Sequence, residues 1–71
     1  MNYVIVENER GYYIDGYPCR NLINGVLMAQ QLNGGAEWVE VYHLDGCMNL
    51  YRTDGFVVER LTEVRYERRR A

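Results

Sequence analysis

The chain contains no serine and no lysine, has a single proline, and no apolar run approaches the roughly 18 residues of a membrane span. Each absence excludes something. Without serine there is no serine nucleophile and no Ser-rich linker. The N-terminus, MNYVIVENERG, has no basic start, no long apolar stretch and no small-residue cleavage site, so no signal peptide is expected and the expected location is cytoplasmic. Without an export signal, Cys19 and Cys47 are expected as reduced thiols that pack as small hydrophobes. The Gly-rich nucleotide fingerprints are missing, and Gly34-Gly35 reads as a helix end, whereas anions bind at helix starts. No cofactor is expected.

What is present fits one small globular domain. At 71 residues and 48% hydrophobic content, the chain can build one modest core. A domain of this size buries only about 60% of its unfolded surface, so oligomerisation is a common source of extra stability. All eight basic residues are arginine, and Arg65, Arg68, Arg69 and Arg70 lie among the last seven positions. Setting aside residues 68–71 leaves five arginines against ten acids, a body of net −5. Residues 1–67 therefore read as the domain and 68–71 as an Arg-rich tail. An acidic body disfavours nonspecific binding to duplex phosphates.

Along the chain, residues 2–7 read as a strand, 8–11 as a turn and 12–15 as a returning strand. Gly16-Tyr17-Pro18 breaks the pattern, and a helix is expected over 18–32, ending at Asn33-Gly34-Gly35. Cys19, Leu22, Ile23, Val26 and Ala29 share its apolar face, while Met28 and Leu32 fall off that stripe, one turn apart. Gly25 inside a helix costs about 1 kcal/mol relative to alanine, which points to close packing against a strand. Residues 37–53 form a hairpin about Asp45-Gly46. A two-residue turn there pairs Leu44 with Cys47 and His43 with Met48. Val39, Val41, His43, Met48, Leu50 and Arg52 then face the helix. Trp38, Glu40, Tyr42, Leu44, Cys47, Asn49, Tyr51 and Thr53 take the other face. A shift of one residue would swap the second arm. Val57, Leu61 and Val64 would make a helical stripe over 56–66, but the Val-Val, Thr and Val-Arg-Tyr content favours strand and Glu59, Glu63 and Glu67 would repel on a helix, so a strand is expected. The expected fold is α+β, in the order β-β-α-β-β-β: an antiparallel sheet of about five strands with one helix on one face.

Both faces of the 37–53 hairpin are apolar, although a half-buried sheet needs only one. The surplus face calls for a partner. Tyrosine, tryptophan and arginine are the residues of binding hot spots, so Trp38, Glu40, Tyr42 and Tyr51 form the expected contact surface. Met28 and Leu32 offer a second patch, and Arg68, Arg69 and Arg70 an electrostatic adjunct. Self-pairing into a homodimer would satisfy the same face. Metal and Cys–His chemistry are not expected, since the two-residue turn sends His43 and Cys47 to opposite faces. Single-stranded nucleic acid is the alternative partner, with sheet tyrosines stacking on bases and the tail holding phosphates.

No motif assigns the chain to a family. In size and element order (a strand pair, a helix ending in Gly-Gly, then EWVEVYHLDG) it looks like many orphan proteins of phages and mobile elements. Some of those act as stoichiometric inhibitors of host defence proteins. The resemblance implies an inhibitor and names no target. The expected function is thus a non-enzymatic protein-binding module that works by occluding a surface.

Overall fold

The computed structural model describes residues 2–65. Strands β1 (Ile5–Asn8), β2 (Gly11–Ile14) and β3 (Tyr17–Pro18) precede the helix α1 (Leu22–Leu32). Strands β4 (Val39–Tyr42), β5 (Cys47–Thr53) and β6 (Val58–Arg65) follow it. The sheet order is β3-β2-β1-β4-β5-β6. Among the described residues the fold is α+β with one helix and a mixed sheet of six strands, which corrects the expected antiparallel sheet of about five strands.

Two local causes account for the difference. Asp15 and Gly16 both adopt positive φ, 51° and 86°, the signature of a tight two-residue turn. That turn folds Tyr17 back onto Ile14, so the segment expected to break the strand makes a short edge strand instead. Pro18 fits an edge, where its missing donor faces solvent. The chain then crosses through α1 and returns beside β1 in the same direction, with Ile5 opposite Val41 and Val6 opposite Tyr42. A crossover of this kind gives a parallel pair, and all other pairs are antiparallel.

The helix starts four residues later than expected. Asn21, in extended conformation, is its N-cap, and its side-chain oxygen accepts the Asn24 N–H at 2.8 Å. The C-terminus ends as the Gly-Gly pair predicts. Gly34 N–H reaches the Gln31 carbonyl and Gly35 N–H reaches the Gln30 carbonyl, with both glycines at positive φ. This is a Schellman motif.

The helix lies on the sheet face formed by Ile5, Ile14, Val39, Val41 and Tyr51, and contributes Val26 and Ala29 to one buried cluster. Gly25 marks the closest approach. A Cβ there would sit 2.9 Å from Cys19 Sγ, 3.2 Å from Cys19 Cβ and 3.4 Å from Ile5 Cδ1. Gly25→Ala should therefore forfeit its helix-propensity gain and cost roughly 1 kcal/mol net, in the range seen for mild overpacking. Urea unfolding of Gly25→Ala with and without Cys19→Ala checks this. Removing the thiol should recover the loss.

The β4–β5 connection is the main correction. Tyr42 pairs with Met48 and Val41 with Asn49, and the His43 N–H donates to the Cys47 carbonyl at 2.8 Å. The loop is thus three residues, Leu44-Asp45-Gly46, closed by a Gly46 N–H to His43 carbonyl bond at 3.1 Å and by positive φ at Gly46. Asp45 Oδ1 accepts the Cys47 N–H at 3.0 Å and holds the turn. The extra residue shifts the register by one, so every side chain of β5 changes face. Cys47, Asn49 and Tyr51 are buried under the helix, while Met48, Leu50 and Arg52 alternate with them toward the other side.

Residues 58–65 form a strand, as expected from their composition, with a register irregularity opposite the stretch between Asn49 and Tyr51. The Arg-rich tail, with Arg68, Arg69 and Arg70, lies outside the described residues.

Candidate functional site

Two arrangements of side chains stand out, one on each face of the sheet. On the helix side, at the β1 and β4 strand ends, four polar groups form a chain. Glu7 Oε1 lies 3.0 Å from His43 Nδ1, and His43 Nε2 lies 2.8 Å from the Tyr51 hydroxyl. Asn49 Nδ2 donates to that hydroxyl at 3.2 Å, and the Leu44 N–H donates to Glu7 Oε1 at 3.1 Å. With a neutral imidazole protonated on Nδ1, every bond has a donor and an acceptor: Asn49 to Tyr51, Tyr51 to His43, His43 to Glu7. Tyr12 meets His43 edge-on, with ring centroids 6.2 Å apart.

The expectation that His43 stands beside the core as a structural histidine fits this place. The reason given for it does not: His43 and Cys47 fall on the same side of the sheet, because the loop has three residues. Both ring nitrogens of His43 are already engaged by Glu7 and Tyr51. Carboxylate, imidazole and hydroxyl follow one another as in an activated nucleophile. Here, however, the hydroxyl belongs to Tyr51, which is 8% exposed and tied to Asn49. This series of bonds joins β1, β5 and the β4–β5 loop. Among the described residues no three potential metal ligands cluster, and no buried side-chain nitrogen or oxygen lacks a hydrogen-bond partner.

Burial raises the Tyr12 phenol above its ordinary value of 10.0, and the neighbouring Glu7 and Tyr51 push in the same direction. An acid whose folded-state value is raised keeps its proton longer when folded. Its contribution is fully present below pH 10 and is lost as pH climbs past the unfolded value. Stability above pH 10 should therefore fall less steeply in Tyr12→Phe than in the wild type, read from urea melts across that range.

The second arrangement is the helix-free face. Cross-strand partners share a face, and the register aligns Tyr13, Val6, Tyr42 and Met48 in one row over β2, β1, β4 and β5. Leu50 and Glu40 form the next pair and Arg52 and Glu59 the one beyond. Val6 is 45% exposed, and Tyr13, Tyr42, Met48 and Leu50 are partly so. The Tyr42 hydroxyl donates to Glu40 Oε1 at 2.7 Å. Arg52 stacks over Trp38, 4.7 Å from the ring centroid, and pairs with Glu37 and with Glu59, the latter at 2.7 Å. The single helix packs on the opposite face, so no described element covers this row.

No family model, curated protein or solved structure matches this chain. Function is therefore read from geometry alone. Of the residues singled out in the sequence, Trp38, Glu40 and Tyr42 do share the helix-free side. Tyr51 does not; it is core. Met28 and Leu32 are exposed on the flank of α1 beside β2 and β3, where they line a shallow depression with Tyr3, Ile14, Asp15 and Tyr17. Val6, Tyr13, Met48 and Leu50 were missed. The signal for Val6 and Tyr13 was present: Asn8 and Gly11 flank a two-residue turn that places them opposite each other. Met48 and Leu50 were assigned to the wrong face by the one-residue slip.

Proposed function

We propose that this chain is a non-enzymatic protein-binding module that works by occluding a surface, and that it is built as a homodimer through its helix-free sheet face. One observation carries the reading. Among the described residues, a sheet covered on one side only presents a continuous row, Tyr13–Val6–Tyr42–Met48, backed by Leu50, on the other. In a sheet that ends at water, those positions would be polar. The size of the core supports a second copy as occupant: its fully buried large side chains are Ile5, Val26, Val39 and Val41. Such a core stabilises a small domain weakly, and pairing two sheets face to face adds a second apolar layer. The edges and rims of each protomer then remain for a foreign protein.

Leu50→Arg tests this reading without touching the helix side. It sets a bulky charge in the middle of the face, and even paired with Glu40 across the strands that charge must be stripped of water between two protomers, a cost of several kcal/mol per ion. Sedimentation velocity should show a dimer for the wild type and a folded monomer for the variant at the same concentration. A dimer that survives the arginine would rule out this face as the interface.

A further inference from the structure

The turn between β5 and β6 carries the two most conspicuous neighbouring apolar side chains among the described residues: Phe56 is 83% exposed and Val57 63%. The turn is held from within. The Gly55 N–H donates to Thr53 Oγ1 at 2.9 Å and the Phe56 N–H to Asp54 Oδ1 at 3.0 Å. An aromatic on a fixed turn loses little freedom on docking and buries a large area, the profile of an interface anchor. The surrounding charge has one dominant sign. Val57 lines a shallow depression with Glu37, Arg52, Asp54 and Glu59, three carboxylates against one guanidinium. That guanidinium is paired with Glu37 and Glu59.

We infer that residues 53–57 are a docking tip that inserts Phe56 into an apolar pocket rimmed by arginine or lysine on a partner protein. Charge selects among the possible occupants. The depression beside Met28 and Leu32 on a second copy carries Asp15, so it opposes the acidic tip. An anionic lipid surface repels the same carboxylates. The inference rests on the protein-binding reading and gives the chemistry of the foreign partner. Its anchor, Phe56, lies on the β5–β6 turn, which adjoins the helix-free face at Arg52 and Glu59.

The test places benzoylphenylalanine at position 56 of the full chain in cells and identifies the photo-crosslinked peptide. The captured protein is then purified and titrated with wild type, Phe56→Ser and Glu59→Arg. The expected peptide holds arginine or lysine beside apolar residues. Each variant should bind about tenfold more weakly or worse with unchanged circular dichroism, and Phe56→Ser, whose side chain stands off the helix-free face, should also leave the dimer mass unchanged. The tip is overturned if position 56 captures nothing, only a second copy, lipid or an acidic segment, or if either variant binds like the wild type. Capture through position 56 that persists in Leu50→Arg would uphold the tip even where that variant has overturned the dimer face.

Discussion

Tyr51→Phe is expected to lower the unfolding free energy by about 2–4 kcal/mol. The substitution keeps the ring and removes only the hydroxyl that bridges His43 Nε2 and Asn49 Nδ2. Taking one partner from a buried polar group costs about 1–3 kcal/mol, and here two groups lose the same partner. A domain of this length has roughly 4–10 kcal/mol in all, so the loss is large, about 10 °C or more in melting temperature. The control is Tyr42→Phe. Its hydroxyl donates to Glu40 on the helix-free face, where solvent can replace the bond in the dissociated protomer, so in samples dilute enough to be monomeric the cost should stay under about 1 kcal/mol. Thermal and urea unfolding of the pair therefore read out the register of β5. With a two-residue turn, Tyr51 would face the helix-free side and the two changes would be equally mild.

Tyr42→Ala should have the opposite profile, a small effect on folding and a large one on association. Tyr42 sits in the middle of the cross-strand row, between Val6 and Met48. Truncating a tyrosine in the centre of an interface commonly costs more than 1 kcal/mol, and two copies of the change meet in a symmetric dimer. The dissociation constant should rise by about tenfold or more. Sedimentation equilibrium over a dilution series measures it, with circular dichroism as the check on folding. Unfolding of the variant would instead show that Tyr42 is core.

Much of the fold could be read from local signals, because local chemistry decides those parts. Asn33-Gly34-Gly35 can only end a helix, and Gly25 was correctly read as a point of close packing, which Cys19 and Ile5 explain. The composition of residues 58–65 outweighed their helical stripe. The register of β5 was not legible, because Asp45-Gly46 suits a two-residue turn and a three-residue loop equally well. Met48 and Leu50 look more apolar than Cys47, Asn49 and Tyr51, and favoured the wrong choice. What decides it is non-local: the inward register joins Asn49 and Tyr51 to His43 and Glu7, and Glu7 lies 36 positions before His43. The parallel pairing of β1 with β4 is likewise a consequence of the crossover and has no local signature. The surplus apolar face was legible as a fact, but half of its membership was not. Its tyrosine on β4 was identified and its tyrosine on β1's neighbour, Tyr13, was overlooked. Tyr51, which looked like part of the surface, turned inward.

The chain's central feature is an apolar sheet face with no covering element among the described residues, and its most direct test is mass in solution. Light scattering behind size exclusion, at several loading concentrations, should give a particle of twice 8.4 kDa for the wild type. The same measurement on Leu50→Arg should give 8.4 kDa with the fold retained. A wild-type chain that elutes as a folded monomer at every concentration would contradict the face-to-face dimer.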